Sequence, residues 1–299
     1  MTRIARPLAP AALVLSLLLS ACSPGSGGSP GQIAHPQGDD LVLRVEFGGG
    51  QIRDFFLSSF PQFTMTGDGR VIVPGAQIDL FPGPALPAVN IRKLTEAGVQ
   101  AVLNEVARTG LFSHSVEYSG AANFVADGGE TIFTLHAEGK DVTIKVAALG
   151  ALDPAGNYPG ISAEERAAHR ALSRLAEELG NLDAQVPASS WADAGWQPYV
   201  PKAMRLFVRN ADADPPDDTG IGNAIVDWPV DGDPAAFGDP ASDGTIRCGV
   251  VSGQDAKDWY AAMKGANQQT RFVKGDHVYE VTVRFQLPYE PLECPQPAT

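Results

Sequence analysis

Apolar positions along the chain follow two alternating periods. Leu41-Val42-Leu43-Arg44-Val45-Glu46-Phe47 has the length and β-branched content of a strand. Phe63-Thr64-Met65-Thr66 and Arg70-Val71-Ile72-Val73, joined by Gly67-Asp68-Gly69, predict a hairpin with a glycine-rich turn. The period then changes to helical. Val99, Val102, Leu103 and Val106 form an i, i+3, i+4, i+7 stripe over Thr95 to Arg108, with Thr95 as N-cap and Gly110 as the stop. A second hairpin is expected from Thr131–Ala137 and Val142–Val146 around Glu138-Gly139-Lys140. Its Ile132, Phe133 and Leu135 would share one face with Val142, Ile144 and Val146. Ser162 to Leu179 opens with the capping box Ser162/Glu165 and puts Ala168, Leu172, Leu175 and Leu179 on an inner face.

The same elements return later in the chain. Ala203 to Val208 and Ile246 to Val251 read as strands, with a short strand at Asn223 to Trp228. Ser252 is expected to cap a helix through about Asn267, with Asp255 at the capping-box position, before a hairpin over Arg271 to Leu287. Adjacent hairpins favour an α+β class, with antiparallel hairpins packed against three amphipathic helices in two similar-sized halves. Both halves contain strand, helix and hairpin, as Arg70–Val73, Thr95–Arg108, Thr131–Val146 and as Ile246–Val251, Ser252–Asn267, Arg271–Leu287. The expected organisation is a leader at 1–21, a tether at 22–38, an α+β domain at 39–186, a linker at 187–202 and a second α+β domain at 203–299.

The N-terminus bears on the compartment. Arg3 and Arg6 precede an apolar stretch from Leu8 to Leu19. As a helix its twelve residues rise about 18 Å, short of a bilayer core of about 30 Å, which reads as a signal peptide. Leu19-Ser20-Ala21-Cys22 resembles the bacterial lipobox, which implies that Cys22 carries diacylglycerol and becomes the first mature residue. Two acyl chains make a stable anchor. Behind it, Ser23 to Gly38 holds five Gly, three Ser and three Pro without a charged residue. Such a coil averages about 22 Å end to end. With Cys22 lipidated, Cys248 and Cys294 remain as a pair in an oxidising compartment. Neither lies in a zinc-type spacing, so a disulfide is expected, worth about 4 kcal/mol in the chain-entropy model. Two separate buried thiols are the alternative.

Further stretches carry a wider resemblance. Asp39-Asp40-Leu41-Val42-Leu43-Arg44-Val45, Gly67-Asp68-Gly69-Arg70-Val71-Ile72, Pro82-Gly83-Pro84-Ala85-Leu86-Pro87, Leu94-Thr95-Glu96-Ala97-Gly98-Val99-Gln100-Ala101 and Arg247-Cys248-Gly249-Val250-Val251-Ser252-Gly253 accompany the lipobox. Together they resemble a group of uncharacterised secreted lipoproteins of high-GC, chiefly actinobacterial, bacteria. The resemblance implies an extracytoplasmic, lipid-anchored protein and brings no activity or site residue. In a host with two membranes, Ser23 after the lipidated cysteine implies the outer one.

Charge narrows the partners. The net charge is −13, and removal of residues 1–21 takes two Arg and no acid, leaving −15. Nucleic acid is disfavoured, because binding phosphates needs a basic face. Nine Asp and no Lys or Arg lie between Asn210 and Ile246, with Asp212, Asp214, Asp217 and Asp218 closest together. Carboxylates in turns suit calcium, but the EF-loop pattern is missing and a solvated acidic loop explains them as well. Ser252 lacks the spacing of a nucleophile elbow, and the five His have no metal-ligand spacing, so each reads as a surface or satisfied polar residue. Trp191, Trp196, Tyr199, Trp228, Trp259 and Tyr260 either line a groove or fill the core. The reading that results is a non-catalytic binding module of the cell envelope, whose partners are the membrane through its anchor and an envelope protein or cell-wall component. The alternatives are an envelope hydrolase with a dispersed carboxylate/His site and a calcium-dependent structural module.

Overall fold

A computed structural model describes residues 31–48, 59–153, 156, 158–214, 224–241 and 244–294. Residues 33–299 form one compact unit; of the separate unit 1–32, Gly31 and Gln32 are described. The leader and Cys22 lie outside the described residues. The body is mixed α+β, mostly strands, with two sheets and, among the described residues, four helices. None of these helices is long and apolar enough to cross a membrane.

The first sheet contains β1 (Leu41–Gly48), β2 (Phe63–Thr66), β3 (Arg70–Pro74), β4 (Val89–Lys93), β5 (Val116–Tyr118), β6 (Glu130–Ala137), β7 (Lys140–Ala147) and β8 (Gln197–Pro198), in the order β5-β7-β6-β1-β2-β3-β4-β8. Within this sheet, among the described residues, β5 and β7 are the one parallel pair. The hairpin β2–β3 forms as expected, with Thr64 opposite Ile72 and Gly69 at φ +83°. In β6–β7, Phe133 pairs with Ile144 and Leu135 with Val142 on the buried face. Strict alternation puts Ile132 on the opposite face, contrary to the sequence expectation.

Helices α1 (Glu96–Arg108) and α2 (Ala163–Gly180) supply the first core together with this sheet: Val99, Leu103, Leu172 and Leu175 pack with Leu43, Met65, Phe133 and Ile144. Both N-caps form, Thr95 accepting from the Gly98 amide and Ser162 from the Glu165 amide. A four-residue helix α3 (Leu182–Gln185) follows. Gly98 sits where a Cβ would lie 2.4 Å from the Ser190 carbonyl oxygen. Alanine normally gains about 1 kcal/mol over glycine in a helix. Here the contact reverses the sign, and Gly98→Ala should destabilise by about 1–3 kcal/mol, read as a lower urea midpoint.

The second sheet contains β9 (Ala203–Asn210), β10 (Ile225–Asp227), β11 (Asp239–Ala241), β12 (Ile246–Ser252), β13 (Arg271–Lys274) and β14 (His277–Phe285), in the order β10-β13-β14-β9-β12-β11. Helix α4 (Gly253–Lys264) packs on it through Ala256, Trp259 and Met263. Ser252 is the N-cap residue, yet its side chain makes no capping bond. Trp228 and Trp259 meet edge to face at 4.7 Å, and Trp191, Tyr199, Trp228 and Trp259 are all buried, so these aromatics fill core.

Two boundaries differ from the sequence reading. Ile33 to Gly38 belong to the compact unit, since Gln100 holds both the amide and the carbonyl of Ile33 and the Gly38 carbonyl accepts from Asp68. The stretch 187–202 is more than a connection: it contributes β8 and Trp191 to the first layer and Tyr199 to the second core, which Ile72 and Val89 also enter. The repeated strand–helix–hairpin differs in strand order: β1 and β2 lie between β6 and β3, but only β9 lies between β14 and β12.

Candidate functional site

Arginines inside apolar strands build the site. In β1, Arg44 and Glu46 point away from the first core, and Arg44 lies between Thr64 of β2 and Thr134 of β6. Both threonine hydroxyls are buried without a hydrogen-bond partner. In the second sheet, register puts Arg205 of β9 directly opposite Arg284 of β14. Like charges directly opposite repel, so the pair needs counter-charge.

Among the described residues Arg284 receives it as an ion pair, while Arg205 has Glu290 and Glu293 at longer range only. Beyond β14 the chain turns at Leu287–Glu290, and the Glu290 carboxylate takes a fork of two bonds from Arg284, at 2.7 and 2.6 Å. Arg284 also donates to the Ser59 carbonyl at 3.0 Å. Arg205 is 9% exposed, and its hydrogen bonds go to the Glu293 main-chain carbonyl, at 3.2 and 2.9 Å. Among the described residues no carboxylate forms an ion pair with it. Burial, and then Arg284, hold its pKa below the ordinary arginine value.

The tail that supplies Glu290 is fixed by the disulfide between Cys248 and Cys294, whose Cα atoms are 6.0 Å apart. Thus β1, β6, β9 and the tail enclose a cleft of about 620 Å³ lined by Arg44, Thr134, His136, Arg205, Tyr289 and Glu290, among others. Arg44 pairs with Glu46 at 2.8 Å while its Nε has no partner. Burial pushes the Tyr289 phenol up to about 12; its hydroxyl stands beside Arg44 and Thr64 with no aligned bond. Burial also raises the Glu46 carboxyl, against the pull of Arg44 and Arg284. Three guanidinium groups therefore meet two glutamates, with Asp40 also lining the cleft, and unmet hydroxyls lie beside them. Such a donor set suits an acidic group, because a guanidinium binds carboxylate or phosphate through a fork.

A larger groove of about 730 Å³ runs past Phe81, Arg209 and Glu280, but its charges are already spent. Arg209 pairs with both Glu280 and Asp214. This also accounts for part of the acidic segment. Asp214 takes a fork from Arg209, at 2.7 Å for each bond, and its pKa is lowered by that contact. Asp212 accepts from the Val278 amide at 2.7 Å, from Asn210 at 3.0 Å, and is bonded to His277 at 2.7 Å. These contacts, the Val278 amide foremost, bring its pKa down to about 2. Asp217 and Asp218 lie outside the described residues. Among the described residues no group of three or more His, Cys, Asp or Glu is set to hold a metal ion.

Sequence reasoning missed Arg44, Arg205, Arg284, Tyr289 and Glu290. The available signal was an arginine with apolar residues on both sides, as in Ala203-Met204-Arg205-Leu206-Phe207 and Val283-Arg284-Phe285. A charge in such a position is almost never buried without a partner. No protein-family model, no curated protein and no solved structure matches this chain.

Proposed function

We propose that the chain is a non-catalytic binding module of the cell envelope, lipid-anchored at Cys22 on the extracytoplasmic face, which takes an acidic group of its partner in the cleft around Arg205. On this reading the body is two similar-sized halves with three amphipathic helices, 39–186 extended at its start by 33–38 and 203–299, joined through 187–202, and the segment before Ile33 is the leash. The observation that carries the binding role is Arg205, a buried cation with no carboxylate ion pair among the described residues, beside the unmet hydroxyls of Thr134 and Tyr289. Burying an uncompensated charge costs stability, and an arrangement that does so next to an open cleft fits a site kept for a ligand. The disulfide supports an oxidising compartment. A leash adds to binding by raising the local concentration of the body at the membrane.

The test has two arms. Wild type should fractionate with membranes and Cys22→Ala with the soluble extracytoplasmic fraction; identical fractionation contradicts the anchor. In the soluble Cys22→Ala chain, citrate and pyrophosphate serve as separate calorimetric probes of the carboxylate and phosphate forms of the acidic group. Arg205→Met should weaken binding at least tenfold and leave the melting temperature unchanged or raised, because it removes a buried charge that lacks a counter-ion. Unchanged affinity, or a clear loss of stability, contradicts a ligand role for Arg205.

A further inference from the structure

His169 lies on the inner side of α2 and is 5% exposed, yet neither ring nitrogen has a hydrogen-bond partner. The sequence reading of a satisfied or surface histidine does not hold for it. Burial lowers its pKa against the opposing pull of Glu165, which favours the neutral ring. Neutral imidazole has one donor and one acceptor to offer.

His169 lines a cavity of about 280 Å³ that is separate from the cleft around Arg205. Arg166, Arg170, Arg174, Ser173 and Tyr158 line it as well. The three arginines are four residues apart, so they stand on one side of the helix over about 12 Å. Arg166 donates to the Ile161 carbonyl, whereas Arg170 and Arg174 make no hydrogen bond or ion pair among the described residues. Asp153 and Glu177 also line the cavity, the former from the loop before Tyr158. The volume lies at the small end of ligand sites.

We propose that this cavity binds a small hydroxyl-bearing phosphate ester, with Arg170 and Arg174 on the phosphate and His169 on a hydroxyl. A phosphate ester concentrates its negative charge on its unesterified oxygens, three in a monoester and two in a diester, and these are acceptors that the two guanidinium forks can hold. A hydroxyl both donates and accepts, which is what a neutral imidazole requires. The same chemistry occurs in a free polyol phosphate and in a glycerophospholipid headgroup.

The experiment uses the full Cys22→Ala chain, with sn-glycerol 3-phosphate titrated by calorimetry and, separately, flotation with phosphatidylglycerol vesicles against phosphatidylcholine vesicles. Binding in the first arm assigns the free ester, and selective flotation in the second assigns the headgroup; either supports the site. The exposed pair Arg170→Gln/Arg174→Gln should weaken that binding at least tenfold. His169→Gln should weaken glycerol 3-phosphate several-fold and inorganic phosphate little, and if this variant does not fold, the arginine pair decides. The titrations are repeated in the Arg205→Met background, which removes any contribution of the Arg205 cleft and leaves what belongs to this cavity. Absence of binding in both arms at millimolar ligand or lipid, or binding in that background that the arginine-pair variant leaves intact, overturns the proposal.

Discussion

Replacing Glu290 with alanine is expected to destabilise the fold by about 3–5 kcal/mol, the loss that follows when one partner of a buried ion pair is removed. Both side chains of the Arg284–Glu290 pair are about nine-tenths buried, and Glu290 also accepts from the Leu287 amide at 2.9 Å. Without Glu290, Arg284 would face Arg205 across β14 and β9 with no carboxylate fork to offset either charge. The double variant Arg284→Met/Glu290→Leu should recover most of the loss, since apolar side chains of similar volume often replace a buried pair at little cost. Urea unfolding of wild type, the single and the double variant measures both effects. A single-variant loss under 1 kcal/mol, the range of an exposed pair, would contradict this account of the cleft.

Reduction of the Cys248–Cys294 disulfide is the second large effect. The chain-entropy model assigns about 4 kcal/mol to closing a loop of this size, and native disulfides are generally worth about 2–5 kcal/mol. The local consequence is as important. Cys294 adjoins Glu293, whose carbonyl holds Arg205, and the same tail carries Tyr289 and Glu290 into the cleft. Opening the disulfide should therefore lower the unfolding midpoint and also weaken anion binding under conditions where the body remains folded. Cys248→Ala/Cys294→Ala separates the bond from the reductant. A double variant that keeps wild-type stability and citrate affinity would refute the coupling of tail to cleft.

Much of the fold was legible because its elements carry strong local signals. The caps Thr95 and Ser162, the turn Gly67–Gly69 and the alternation in Val142, Ile144 and Val146 each state a local geometry. The strands β4, β5 and β8 were not legible: they have five residues or fewer, and the pairing of β4 with β3, of β5 with β7 and of β8 with β4 is a tertiary property. Ile132 was assigned to the wrong face because hydrophobicity was weighed ahead of strict alternation. The cleft was hidden for a different reason. Arg44, Arg205 and Glu290 are far apart in sequence and meet only once two sheets and the disulfide-bound tail have packed. The acidic segment drew attention by composition, yet Asp212 and Asp214 are engaged by His277, Val278 and Arg209.

The central claim is that Arg205 and its neighbours form a site for an acidic group. Arginine side-chain NMR on the Cys22→Ala chain, titrated separately with citrate and with pyrophosphate, tests it most directly. The account predicts saturable movement of the Arg205 and Arg44 Nε–H resonances with one dissociation constant, and a smaller response from Arg284, which Glu290 already occupies. Resonances of Arg205 and Arg44 that stay fixed with both probes while exposed arginines such as Arg108 shift would contradict it.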